Sequence, residues 1–149
     1  MFHIMRTRRF FSTREKKEIV NTIRDAERHT SGEIRVHVES HCGADPIARA
    51  QAVFDKLGMS KTELHNGVLI YLAIADRKFA IIGDEGIHRA VPPDFWDDTK
   101  VKMESLFRAG KFCEGVCLGV QLAGEHLAQY FPCQRNDVNE LPDEISEGR

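Results

Sequence analysis

Oxygen-bearing side chains lie beside glycines in three separate segments of the sequence. Glu33 and Asn66 each lie next to one glycine, and the pair Asp84-Glu85 lies between two. Carboxylate and amide oxygens, with backbone carbonyls from glycine turns, are the ligands that Ca²⁺ and Mg²⁺ take in proteins. Crowded carboxylates also repel one another, and a divalent ion relieves that repulsion. If the fold brings the segments together, Glu33, Asn66, Asp84 and Glu85 form a candidate metal site.

The strands that must position these residues are visible in the hydrophobic pattern. Residues 33–39 alternate between apolar and polar side chains, which predicts a strand with one covered face and one wetter face. Residues 68–75 are continuously apolar, as in a central strand covered on both sides. Asp76-Arg77 predicts a tight hairpin loop leading to a third strand over residues 78–82.

Four helices are predicted around these strands. A capping box begins the first, over about residues 13–28, and Asp45-Pro46 begins the second, which Gly58 ends. The others cover about residues 95–109 and 112–130. A right-handed crossover makes the first two strands parallel, and the hairpin makes the third antiparallel. The four candidate ligands therefore fall at one end of a small mixed sheet in a layered α/β domain.

Composition excludes several classes of protein. The chain has 149 residues, 42% of them hydrophobic, and a formal net charge of -2. This length suits one domain, and the near-neutral charge argues against a nucleic-acid partner. No apolar run reaches the roughly 20 residues that cross a bilayer, and the basic start lacks the apolar region of a secretory signal. We expect a cytoplasmic monomer without membrane insertion.

The domain organisation follows from the same patterns. Residues 1–11 are predicted to be a flexible basic N-terminus, residues 12–131 the α/β domain, and residues 132–149 a disordered acidic tail.

The opposite end of the sheet offers a second candidate site. Glu39, His41 and Asp76 lie there, and open α/β sheets usually bind ligands beyond the carboxyl ends of their parallel strands. The hairpin already explains Asp76, so this end ranks second. The acids at the first end are themselves compatible with ordinary solvated turns.

The last predicted helix carries two further patterns. Cys113 and Cys117 lie four residues apart on its apolar stripe, where small core residues are expected. No second close-spaced Cys or His pair accompanies them, so zinc is not expected. Gly115, Gly119 and Ala123, also spaced by four, indicate close approach of a neighbour, with a dimer face as the alternative.

Four segments together resemble the TPM domain family. They are residues 30–38, 66–73, 76–78 and 83–87, and the resemblance extends over about residues 11–131. It implies a Rossmann-like, three-layer α/β/α sandwich with a small mixed sheet and about four flanking helices. It also implies divalent-metal binding, acid phosphatase activity, or repair and assembly of membrane-protein complexes. The chain looks like the stand-alone soluble bacterial form.

Two departures from the family pattern affect the candidate site. His65 stands where many members have an acid directly before Asn-Gly, and Gly-Asp-Glu-Gly-Ile at residues 83–87 replaces a Gly-Tyr-Gly-Leu-Glu sequence. One possible ligand is thereby removed and others are supplied.

Three functions follow from these observations. The first is a Ca²⁺- or Mg²⁺-binding accessory or interaction domain without its own catalysis, because no nucleophile–base motif is present. The alternative is a metal-assisted acid phosphatase for phosphate monoesters, with His65 or His88 as proton donor and Arg89 near the phosphate. The third is a structural domain that binds a protein partner through its helices.

Overall fold

A computed structural model of the chain describes residues 10–133 and 143–148. Its sheet has the strand order β3-β2-β1-β4, comprising β1 (Glu33–Glu39), β2 (Gly67–Ala73), β3 (Lys78–Gly83) and β4 (Ser146–Glu147). β1 pairs in parallel with β2 and β4, and β2 pairs antiparallel with β3. The predicted mixed sheet is therefore confirmed.

Three of the five helices in the described residues begin where a side-chain cap satisfies their first N–H groups. The five are α1 (Thr13–Glu27), α2 (Pro46–Lys56), α3 (Glu85–Ala90), α4 (Asp97–Arg108) and α5 (Phe112–Ala128), with a 3₁₀ turn at Met59–Lys61. The Ser12 hydroxyl accepts a 3.1 Å hydrogen bond from the Glu15 N–H, and Asp45 accepts one of 2.9 Å from the Ile47 N–H.

Two cores cover the two faces of the sheet. One face packs against α1, α4 and α5, and its buried strand residues include Val36 and Ile70. The other packs against α2 and the 3₁₀ turn, with Leu69 and Ile82 in its core. Three layers result, as predicted.

The wetter face predicted for β1 is not wet. His37 and Glu39 lie on it and are buried, because α2 and the added strand β4 cover them. Ser146 contributes its hydroxyl oxygen at 2.9 Å from His37 Nδ1. The alternation of apolar and polar residues within one strand does not show whether other elements will cover its polar face.

The prediction of a disordered tail does not hold for residues 143–148. Within this segment, Ser146 and Glu147 pair with the edge of β1, and the Gly148 N–H donates to the Val38 carbonyl at 2.8 Å. Lys16 and Glu147 add an ion pair of 2.7 Å. An open strand edge supplies unpaired backbone groups that such a segment satisfies. Residues 1–9, 134–142 and 149 of the predicted termini lie outside the described residues.

The glycine stripe of α5 serves the fold of the chain itself. An added Cβ at Gly115 would lie 2.4 Å from the Phe107 ring, and one at Gly119 would lie 2.5 Å from the Met103 sulfur. The stripe therefore accommodates α4, which makes the predicted close approach intramolecular. Within the described residues, no helix is both long enough and apolar enough to span a membrane.

Candidate functional site

Asp84 occupies the end of β3 and begins the short helix α3. Its Oδ1 accepts a 2.7 Å hydrogen bond from the Glu85 N–H, which caps the helix. The side chain is buried, with the residue only 9% exposed, and Oδ2 has no hydrogen-bond partner in the described part of the chain. A buried carboxylate oxygen is costly unless a donor or cation contacts it, so this atom is a candidate ligand atom.

The loop before β2 brings His65 to Asp84. His65 has a φ of 49°, a left-handed conformation that is uncommon for a residue other than glycine. Its Nδ1 lies 3.5 Å from Asp84 Oδ2. Gly86 holds this loop, because its N–H donates to the His65 carbonyl at 2.9 Å and an added Cβ would lie 2.4 Å from the Leu64 carbonyl.

Glu33 and Asn66 are buried at the same end of the sheet. Glu33 pairs with Gly67, and the Asp84 N–H donates to the Gly67 carbonyl at 2.9 Å. Glu33 and Asp84 therefore flank Gly67, which carries no side chain, on neighbouring strands. The Asn66 amide donates to the Ser31 hydroxyl at 3.4 Å. Three of the four predicted ligands are thus buried at one end of the sheet.

Glu85 differs from the other three predicted residues. Its side chain is 68% exposed and accepts a 2.8 Å hydrogen bond from Arg89 one turn later. Among described His, Cys, Asp and Glu residues, the one group of three with ligand atoms within 4.8 Å of each other lies elsewhere, at Glu18, Cys113 and Cys117. A cation at Asp84 would therefore have to draw other ligands closer.

The opposite end of the sheet is built around Glu39, which is 2% exposed. Arg49 donates from Nε and one terminal nitrogen at 2.7 and 2.9 Å, the Tyr71 hydroxyl donates as well, and His37 Nε2 lies 3.0 Å away. Burial alone would raise the pKa of Glu39, but the hydrogen bonds from Arg49, Tyr71 and His37 outweigh it and lower the pKa to about 2.

Asp76 at the hairpin is also engaged by protein groups. Its carboxylate lies 2.9 Å from His41 Nδ1 and accepts a 2.8 Å hydrogen bond from the Cys42 N–H. The His41 contact first, and the Cys42 N–H second, lower the pKa of Asp76 to about 2. The second predicted site is therefore a network of satisfied carboxylates.

Sequence reasoning missed Arg49 and Tyr71. Arg49 is one charged residue on the otherwise apolar start of α2, and Tyr71 is the single polar group within the apolar segment of β2. A lone polar group inside an apolar pattern was the available signal, because burial requires it to find a partner.

The geometry defines a class first: a three-layer α/β/α domain with an acidic, partly unsatisfied end of its sheet. The TPM domain matches residues 4–126, and the chain belongs to this family. A similar solved structure is the NMR structure of BA42 protein from the psychrophilic bacteria Bizionia argentinensis sp. nov. It is 48% identical, has a TM-score of 0.89, and the match covers 93% of this chain and 96% of that chain. A comparison with curated proteins finds no match.

Proposed function

We propose that this chain binds one divalent cation, Ca²⁺ or Mg²⁺, beside Asp84 and acts as an accessory or interaction domain without catalysis of its own. The observation that carries the proposal is Asp84 Oδ2, a buried carboxylate oxygen without a hydrogen-bond partner in the described residues. A cation at this oxygen would stabilise its charge more closely than His65 Nδ1, which lies 3.5 Å away.

The surroundings of Asp84 supply further oxygen ligands. Glu33 and the Asn66 side chain are buried at this end, and the Leu64 and His65 carbonyls lie close to Gly86 of α3. Glu85 would join only after leaving Arg89, to which it is bound at 2.8 Å. A site of few, partly distant carboxylates predicts weak binding, at the millimolar end of the range for protein Ca²⁺ sites.

The experiment is a titration with CaCl₂ and with MgCl₂, followed by backbone amide chemical shifts. We expect shifts at residues 31–33, 65–67 and 83–87, and their loss in Asp84→Asn. The matched control is Asp76→Asn, which makes the same change at the satisfied end and should leave the shifts intact. No response in the three segments at millimolar ion would show that the assignment is wrong.

A metal-assisted phosphatase is the second candidate, and the position of His65 favours it. His65 Nδ1 lies 3.5 Å from Asp84 Oδ2, so an ion and a proton donor would share one location. Arg89 is the residue proposed to bind the phosphate, but its side chain donates a hydrogen bond to Glu85. It would have to leave Glu85 to contact a phosphate. Metal-dependent hydrolysis of p-nitrophenyl phosphate that survives Asp76→Asn but disappears in Asp84→Asn would establish catalysis.

A further inference from the structure

Two cysteines and a glutamate converge where α1 packs on α5. Cys113 and Cys117 lie one turn apart on the same side of α5, and Glu18 faces them from α1. Their two sulfurs and one carboxylate oxygen all lie within 4.8 Å of one another, and Cys113 Sγ is 3.8 Å from Glu18 Oε2. Ligand atoms around a tetrahedral Zn²⁺ are about 3.5 Å apart, given bond lengths of about 2.0–2.3 Å. The three groups need little movement to hold such an ion.

The cluster is accessible from solvent on one side. Cys117 is buried, Cys113 is half-buried and Glu18 is exposed. An ion can therefore enter past Glu18 and retain a water molecule as a fourth ligand. The Glu15 carbonyl oxygen lies 3.9 Å from Cys113 Sγ and adds partial negative charge on the same side of the cluster.

The chemistry of the thiols distinguishes metal binding from nucleophilic catalysis. Burial first, and the neighbouring Cys117 and Glu18 next, raise the pKa of Cys113 to about 12, and burial also raises the pKa of Cys117. A reactive cysteine requires the opposite, a pKa lowered by nearby cationic groups. A bound metal ion would supply such a positive charge and displace both thiol protons.

We propose that Glu18, Cys113 and Cys117 bind one borderline or soft divalent ion, with Zn²⁺ as the best fit. Binding releases the two thiol protons to solvent and leaves two thiolates and one carboxylate on the metal. Thiolates select zinc over calcium and magnesium, so this site and the Asp84 site would take different ions. The sequence pattern alone does not predict it because Glu18 lies 95 residues away from Cys113.

The test uses Co²⁺ as a spectroscopic probe and Zn²⁺ as competitor, with the full chain kept under a non-thiol reductant. We expect one Co²⁺ per chain with a thiolate-to-cobalt charge-transfer band that Zn²⁺ removes. Cys113→Ser and Cys117→Ser should each lose most of the band, and Glu18→Gln should weaken affinity by about tenfold or more.

Controls separate this site from other cysteines and from the acidic end. Cys133→Ser removes an exposed thiol outside the cluster, and Asp84→Asn changes the other proposed site; both should keep the band. Glu18 is exposed, so Glu18→Gln reports on binding even where a cysteine variant fails to fold. A missing band in the unmodified chain, a band unchanged in Cys113→Ser, or an affinity unchanged in Glu18→Gln would overturn the proposal.

Discussion

The two ends of the sheet contain similar residue types in opposite states. At one end, Glu39 receives hydrogen bonds from Arg49 and Tyr71 and lies 3.0 Å from His37. At the other end, Asp84 uses one carboxylate oxygen to cap a helix and leaves the second buried without a hydrogen-bond partner among the described residues. The first carboxylate is stabilised by several protein groups, whereas in the described part of the chain the second is hydrogen-bonded through only one of its two oxygens.

This difference distinguishes a carboxylate with protein partners, Glu39, from the proposed ligand Asp84. Burial of a carboxylate is unfavourable in both places, but Arg49 and its neighbours offset that cost for Glu39. Among the described residues no hydrogen bond reaches Asp84 Oδ2, and Nδ1 of the exposed His65 lies 3.5 Å from it. The two ends therefore differ in whether each carboxylate oxygen has a hydrogen-bond partner, and not in how many acidic residues they contain.

The largest expected effect on stability comes from removing the Glu39 carboxylate and the hydrogen bonds that it accepts. Glu39→Ala leaves Tyr71 and His37 buried without their acceptor and Arg49 without its counter-ion. We expect the free energy of unfolding to fall by about 3–5 kcal/mol, measured by urea denaturation. Glu39→Gln retains the shape and one acceptor oxygen, so it should cost less.

The matched control for Glu39 is an acid whose pair is solvent-exposed. Glu85→Ala removes the contact with Arg89, in which both side chains are largely exposed. Such a pair contributes about 0.5 kcal/mol or less. If Glu39→Ala lowers the free energy of unfolding no more than Glu85→Ala does, the hydrogen bonds around Glu39 do not form a stabilising network.

A second prediction compares Glu39 with Glu27, which lies beside the other end of β1. Glu27 accepts a 2.8 Å hydrogen bond from the Ile34 N–H. Burial, followed by the hydrogen bond to Asp143, raises its pKa from 4.5 to about 9. Between these values the folded chain holds a proton that the unfolded chain has lost, so stability must fall as pH rises.

The measurement is the free energy of unfolding across that pH range. Glu27 contributes a slope of up to about 1.4 kcal/mol per pH unit, which Glu27→Gln should abolish because glutamine stays neutral. Glu39, with its pKa lowered from 4.5 to about 2, should instead lose its contribution as pH falls between those values. Asp25→Asn, an exposed change on α1, is the control, and an equal slope in both variants would refute the assignment.

A third prediction concerns the backbone contact that holds the Asp84 end. A methyl group at Gly86 would lie 2.4 and 2.6 Å from the Leu64 and His65 carbonyls, so Gly86→Ala must displace the loop. Better helix propensity offsets part of the strain, leaving a net loss of about 1 kcal/mol. Amide shifts at residues 64–67 should accompany the loss. His88→Ala changes an exposed residue on the same helix and should alter neither the stability nor the amide shifts at residues 64–67.

Three of the four described strands were predictable because their signals are local, whereas β4 lies in the segment expected to be disordered. Alternation in residues 33–39 and the Asp76-Arg77 hairpin depend on neighbouring residues, and β1 has the predicted bounds. Helix α3 was missed because its six residues are too few for a periodic pattern, and Asp84 was interpreted as part of a turn. The end of the sheet that holds Glu33, Asn66 and Asp84 followed from topology alone. Whether each oxygen is satisfied did not, because that depends on contacts such as Arg49 with Glu39.

The smallest expected effect tests the unsatisfied oxygen directly. Asp84→Asn retains a good helix cap while removing the buried negative charge. In metal-free solution we expect no loss of stability and a gain of up to about 1 kcal/mol, because the charge that lacks a partner is gone. Asp76→Asn, which makes the same change at a satisfied carboxylate, should instead be destabilising. If Asp84→Asn raises the free energy of unfolding and Asp76→Asn lowers it, the difference between the two ends is established. If both substitutions lower it equally, the protein itself already stabilises the Asp84 carboxylate.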